Sequence, residues 1–125
     1  PAEPGRAGAA LMLRVIGAHE AGVDVIFRTA PQLIIAAAPT PYDWKIEDAS
    51  IALTYLEIAA HGHGAGACWA GFFTTVARQY PPLKQYLKIA ENEHVCGAQM
   101  IGYPVYGLSK RVPLRKELPV KFLEA

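Results

Sequence analysis

The chain has 125 residues, of which 52% are hydrophobic and only 18% are charged. This length suits a single domain, and the apolar surplus predicts that a further copy of the chain covers part of its surface. Twelve basic and eleven acidic residues nearly cancel, so the sequence lacks the positive field that holds nucleic acid non-specifically. No apolar stretch reaches the ~18 uninterrupted residues of a membrane span, which predicts a soluble protein without a membrane partner.

The N-terminal part of the chain predicts a helix followed by a strand. Apolar residues at helical spacing indicate a helix over residues 7–21, which Gly22 ends. The apolar run Leu33–Ala38, closed by Pro39, indicates a short strand that is buried on both faces. The first residues, with neither an initiator Met nor a signal-peptide pattern, suggest that upstream sequence is missing.

The next element is predicted to be a core helix. Acidic residues suit its N-terminus at Glu47, and Ile51, Tyr55 and Ile58 form an apolar face that we expect to point into the core. The glycine-rich segment His61–Gly66 then predicts a turn, because glycine adopts the positive φ angles that reverse a chain.

The C-terminal half predicts two short helices, a strand and an arm. Helices are expected over Phe72–Gln79 and from Pro81 to near Glu91, and a strand over His94–Gly102. From about Tyr106 the chain has prolines and basic residues without helical period, which predicts an extended arm over residues 106–125.

The segment His61–Gly71 combines glycines with two histidines, a cysteine and a tryptophan. Such a turn either contacts a flat polar ligand through its backbone or simply caps a helix, and both interpretations stay open. A zinc site needs about four ligands, and Cys68 and Cys96 lack paired spacing, so no metal ligand is predicted. Both cysteines are expected to be small buried residues of a protein in the reducing cytoplasm.

A cluster of basic residues lies in the predicted arm. These residues suit a phosphate monoester, a solvated tail or an anionic partner, and the pattern alone leaves the three open. No Ser-His-Asp triad or paired carboxylates can be argued, so no catalytic side chain is predicted. The basic residues are Lys110, Arg111, Arg115 and Lys116.

An ordered set of segments resembles the C-terminal part of the nitroreductase family. The resemblance implies an α+β fold in which helices flank a central, mainly antiparallel sheet, with an extended C-terminal arm. It also implies that residues 1–125 are the C-terminal part of one such domain, which is expected to be incomplete in this chain. The segments are Ile26–Pro31, Leu33–Ala36, Glu47–Leu56, Ala59–His61, Gly64–Gly71 and Gly102–Pro104.

The resemblance also implies a function. It implies reduction of nitroaromatic, quinone or similar acceptors by NAD(P)H, on a homodimer that binds FMN at its subunit interface. The segment Cys68, Trp69, Ala70 and Gly71 would run along the flavin, with Phe72 beside it and a backbone N–H near Gly71 facing flavin N5. Arg111 and Arg115, then Lys110 and Lys116, would bind the phosphate. The flavin itself would supply the chemistry.

One departure from the family pattern affects this interpretation. Relatives carry an N-terminal Arg-x-Ser-x-Arg segment that binds the FMN phosphate and ribityl chain, and this sequence has no match to it. The chain is therefore expected to need a missing N-terminal half. The alternative is a non-catalytic dimeric or flavin-binding remnant of the fold.

Overall fold

The structure is a computed structural model that describes residues 4–105 and 121–122. Within these residues, helices combine with an antiparallel sheet, which confirms the predicted α+β class. Nearly all of the predicted arm lies outside the described residues. None of the described helices combines the length and apolarity needed to cross a membrane. The elements are α1 (Pro4–Glu20), β1 (Gln32–Pro39), α2 (Lys45–Gly62), β2 (Gly66–Trp69), α3 (Gly71–Gln79), α4 (Pro81–Tyr86) and β3 (Glu93–Gly102).

β3 is the central strand of the sheet, because it pairs with β1 on one side and β2 on the other. Both pairings are antiparallel, and Met100 of β3 faces Leu33 of β1 and Cys68 of β2. Residues 95–100 of β3 are buried, as the apolar sequence of this strand leads one to expect. The sequence had not indicated β2, because its short apolar segment carries too little pattern to identify a strand.

A β-bulge interrupts the pairing of β1 with β3. The register shifts between Ala36 and Ala37, which leaves Cys96 of β3 as an extra residue without a partner on β1. Arg78 of α3 donates from Nε to the Val95 carbonyl oxygen at 2.7 Å and from Nη2 to the Cys96 carbonyl oxygen at 2.5 Å. One guanidinium group therefore ties α3 to the bulge.

The two faces of the sheet carry different helices. On one face, Ala98 and Met100 pack in a buried cluster with Phe73 of α3. On the other face, a Cβ added at Gly97 would lie only 2.9 Å from Cδ1 of Leu53 in α2. Glycine at this position therefore lets α2 lie close against the sheet.

β1 is an edge strand and is only half-buried. Leu33 and Ile35 pack against the core cluster, whereas Ala37 is exposed. The prediction that Leu33–Ala38 is buried on both faces was therefore wrong. An apolar run indicates a strand, but it does not show that the chain supplies cover for both of its faces.

The predicted core face of α2 was also wrong. Ile51, Tyr55 and Ile58 are 58%, 70% and 64% exposed, and the helix buries Leu53 instead. The helix carries apolar residues on several of its sides, so their spacing does not identify the side that meets the sheet. The sequence correctly indicated the helix but not its orientation.

Glycines end the first two helices as predicted. Gly22 and Gly64 have φ values of +73° and +75°. After each glycine, the next N–H donates to the carbonyl oxygen five residues earlier, at 2.8 Å and 2.9 Å respectively. The final short helix differs from the prediction, because α4 ends at Tyr86 rather than near Glu91. Lys88 has φ 57°, which stops the helix there.

Candidate functional site

A cavity of about 520 Å³, here called the central cavity, lies between α1 and the junction of β2 with α3. Apolar side chains make up most of its wall, together with two arginines and a stretch of backbone. It brings together all five predicted cofactor-binding residues of the segment Cys68–Phe72. The lining residues are Leu11, Arg14, Val15, Ala18, Val25, Ile26, Arg28, Cys68, Trp69, Ala70, Gly71, Phe72, Phe73 and Met100.

The β2–α3 junction forms a firmly held wall of this cavity. The N–H of Ala70 donates to the Ala98 carbonyl oxygen at 2.9 Å, which continues the sheet pairing one residue beyond β2. Ala70 and Phe73 are 4% and 6% exposed, so the start of α3 is anchored in the core. The chain changes direction at Ala70, which lies between the last residue of β2 and the first residue of α3.

The N-terminus of α3 presents hydrogen-bond donors to the central cavity. The first intrahelical bond runs from the Thr74 N–H to the Ala70 carbonyl oxygen at 2.9 Å. Within the described residues, the N–H groups of Gly71, Phe72 and Phe73 donate to no protein acceptor, and Ala70 provides no side-chain cap. These groups can therefore donate to acceptor atoms of a ligand, helped by the positive end of the helix dipole.

Gly71 leaves open space at this wall. A Cβ added there would meet no protein atom within 4 Å, and its φ is not in the left-handed region. The protein itself therefore tolerates a side chain at Gly71, which would extend into space available to a ligand.

The structure separates the two cysteines. Cys96 is buried, and burial raises the pKa of its thiol. Cys68 is exposed and lines the central cavity, so the prediction that it is buried was wrong. Its neighbour Trp69 is 43% exposed. β2 is an edge strand of the described sheet, so its side chains lack a neighbouring strand on one side.

The opposite wall was not predicted from the sequence. It consists of α1, which contributes Arg14, and of the loop after it, which contributes Arg28. Both arginines come from positions distant in sequence from the glycine-rich segment. Their basic character alone gave no signal, since isolated arginines are usually solvated.

The loop after α1 is organised by one carboxylate. Asp24 accepts the N–H groups of Ile26 at 3.1 Å, Phe27 at 2.8 Å and Thr29 at 3.1 Å. These bonds, the one from Phe27 foremost, lower the pKa of the Asp24 carboxyl. Within the loop, Arg28 and Thr29 have φ values of 52° and 61°, an unfavourable conformation for residues with a Cβ. The carboxylate therefore holds a strained segment against the cavity.

The histidines do not line the central cavity. His61 borders a separate space of about 350 Å³ together with Glu57, on α2. Nearby, the buried Gln99 donates from Nε2 to Oε2 of Glu57 at 3.3 Å. His94 lies half-buried on the central strand, and burial lowers its pKa. Within residues 4–105 and 121–122, no group of three or more His, Cys, Asp or Glu residues could hold a metal ion.

The four basic residues predicted to bind phosphate lie outside the described residues. The site that the structure describes therefore consists of the central cavity without the arm. These residues are Lys110, Arg111, Arg115 and Lys116.

The central cavity fits part of a flat heteroaromatic cofactor. Its volume lies in the range of about 300–1,000 Å³ typical of small-molecule sites. Apolar walls suit the ring faces, and the free N–H groups at Gly71 and Phe72 suit acceptor atoms at the ring edge. The open space in front of Gly71 lets a planar ligand approach the backbone.

Comparison with known proteins agrees with this fit. A family model described as "Nitroreductase family" matches residues 2–103. A nitroreductase with bound FMN from Bacteroides fragilis NCTC 9343 shares the fold, with a TM-score of 0.68 and 24% identity over 82% of this chain. An FMN-dependent nitroreductase from Clostridium difficile R20291 gives a TM-score of 0.52 and 28% identity over 65% of this chain. The chain spans 56% and 50% of these two proteins, and no curated protein matches it.

Proposed function

The chain belongs to the nitroreductase family, and from this premise we propose that it forms part of an FMN-dependent oxidoreductase. The observation that carries the proposal is the apolar central cavity lined by Gly71, Phe72 and Phe73, whose N–H groups have no acceptor within the described residues. These elements come from the segment for which the family resemblance implied flavin contact. Both compared structures are described as FMN-bound or FMN-dependent, which supports the same cofactor here.

In this proposal the residues of the β2–α3 junction would hold the flavin. The N–H of Gly71 would donate to an acceptor atom of the ring, and Cys68 and Phe72 would lie beside the ring. Apolar side chains such as Leu11 and Met100 exclude water, which strengthens each polar contact. Bound FMN would supply the hydride and electron transfer, and the protein supplies orientation and electrostatics.

The remaining parts of the function are inferred from the family resemblance. They are reduction of nitroaromatic, quinone or similar acceptors with NAD(P)H, and binding of the flavin phosphate by the basic arm of residues 106–125. The rest of the site would come from the N-terminal half of such a domain.

We also propose a homodimer in the cytoplasm. The exposed apolar residues Ile51, Tyr55 and Ile58 on α2 support an interface with another subunit. The free thiols of Cys68 and Cys96 support a reducing compartment.

The first test is a visible absorption spectrum of the purified protein, taken after incubation with FMN and gel filtration. We expect flavin bands near ~450 nm that elute with the protein, and NAD(P)H oxidation by the loaded protein. A colourless protein that still dimerises would contradict flavin binding by this chain alone and favour a non-catalytic remnant of the fold.

A variant of Gly71 tests the position of the flavin. Gly71→Leu places a side chain in the open space of the cavity, so we expect FMN affinity to fall by more than about 10-fold. Thr75→Leu is the matched control, because it adds a similar side chain one turn later on α3, outside the cavity lining. Equal FMN affinity in both variants would show that Gly71 does not face the flavin.

A further inference from the structure

Two guanidinium groups border the central cavity on the side opposite the β2–α3 junction. Arg14 comes from the middle of α1, and Arg28 comes from the loop that Asp24 organises. Within the described residues, neither side chain forms a salt bridge or donates a hydrogen bond. Each group can therefore accept an anionic partner.

The backbone around Arg28 is held in an unfavourable conformation. Arg28 and Thr29 both have positive φ, and the Asp24 carboxylate fixes the loop through the N–H groups on either side of Arg28. Phe27 anchors the same loop to α3, with its ring centroid 5.8 Å from that of Phe73. Residues kept in such conformations cluster at ligand-binding sites, where the surrounding structure presents one side chain in a defined place.

Arg28 also lies between two spaces. It borders the central cavity and a neighbouring space of about 300 Å³, which Cys68 and Pro104 line as well. An anionic group that enters from either space can thus meet the same guanidinium group.

We propose that Arg14 and Arg28 form an oxyanion-binding site at the edge of the central cavity, for a phosphate monoester or a carboxylate. Guanidinium groups bind these groups through paired hydrogen bonds, and both arginines are exposed and so accessible to an anion. The oxyanion is either the phosphate of the flavin or an acidic substituent of the substrate. The use of the site rests on the proposed function, whereas the binding of an anion does not.

The direct test is titration of the flavin-free 125-residue chain with inorganic phosphate, monitored by NMR of the arginine Nε–H groups. We expect saturable shifts at Arg14 and Arg28, and a loss of phosphate affinity of about 10-fold in Arg28→Gln or Arg14→Gln. Lys88→Gln is the control for loss of one positive charge, because Lys88 borders neither the central cavity nor the neighbouring space. Shifts that are absent, or equal losses in the control, would overturn the proposal.

A further measurement identifies the source of the oxyanion. If it is the flavin phosphate, Arg28→Gln lowers the ratio of FMN affinity to riboflavin affinity by about 10-fold. If it belongs to the substrate, that ratio stays constant, and KM rises about 10-fold for 4-nitrobenzoate but not for neutral 4-nitrobenzyl alcohol.

The outcomes for the two proposals are distinguishable. A wild-type protein that binds inorganic phosphate at these arginines but takes up neither FMN nor riboflavin would contradict flavin binding by this chain and support the oxyanion site. The oxyanion site alone would be refuted if the protein binds flavin and Arg28→Gln leaves two ratios at their wild-type values. These are the ratio of FMN to riboflavin affinity and the ratio of KM for 4-nitrobenzoate to KM for 4-nitrobenzyl alcohol.

Discussion

The two walls of the central cavity are built in opposite ways. The β2–α3 wall continues the central sheet through the Ala70 N–H and buries Phe73. In the wall of α1 and its loop, Leu11 is 51% exposed, and no described backbone hydrogen bond joins this wall to the sheet. The aromatic contact of Phe27 with Phe73 links the two walls. The β2–α3 wall can therefore fix the position of a ligand, while α1 has fewer contacts that hold it in place.

The largest difference between the walls should appear when an apolar side chain is removed from each. Phe73→Ala leaves a cavity in the core, and we expect it to lower the free energy of unfolding by about 3–5 kcal/mol. Leu11→Ala removes a half-exposed side chain, and the expected loss is below about 1 kcal/mol. Urea denaturation followed by circular dichroism measures both, and equal losses would show that the walls are equally well packed.

A smaller difference should appear when one methyl group is added to the central strand and one to α1. In Gly97→Ala the new Cβ would lie 2.9 Å from Leu53 Cδ1 and 3.0 Å from Trp69 Cζ3, so both side chains must move. We expect a loss of about 1–3 kcal/mol and a changed Trp69 fluorescence. In α1, Gly17→Ala meets nothing within 4 Å and should stabilise the helix by up to about 1 kcal/mol. Thermal unfolding of the two variants provides the comparison, and a shift of the same sign in both would contradict it.

The smallest expected effect is a pH dependence of the loop after α1, which Asp24 organises. Hydrogen bonds from Phe27 and then Thr29 hold the pKa of Asp24 below its ordinary value of 3.8. The carboxylate's contribution to the stability of the fold is therefore complete above pH 3.8. It is lost as the pH falls through the lower pKa that Asp24 has in the folded state.

Amide NMR of the loop measures this transition. Between about pH 5 and about pH 2 we expect the N–H signals of Phe27 and Thr29 to shift, while that of Ala70 stays constant. Asp24→Asn should remove the shift, because an amide does not titrate in this range. A shift that persists in the variant would assign the loop's pH dependence to another group.

Apart from β2, the sequence predicted the helices and strands of the two walls better than it predicted which side chains meet at the cavity. Glycine requirements and apolar runs are local signals, so the turn at Gly64, α3 and β3 were identified. The segment Cys68–Phe72 was expected at a flavin from the family resemblance, and it lines the central cavity. The exposure of Cys68 and the orientation of α2 depend on which neighbours the chain supplies, and no local pattern records that. Arg14 and Arg28 meet at the cavity only through the tertiary fold.

The bulge at Cys96 decides which side chains reach the cavity side of the sheet. In a regular strand, residues alternate between faces, so Val95 would point the same way as Gly97, toward α2. The extra residue reverses this parity, and Val95 joins Ala98 and Met100 in one buried cluster. β3 thereby gives apolar side chains along most of its length to the face that supports α3, and gives Gly97 to the face that α2 approaches. Arg78 donates hydrogen bonds to the Val95 and Cys96 carbonyl oxygens and so stabilises the strand in this register.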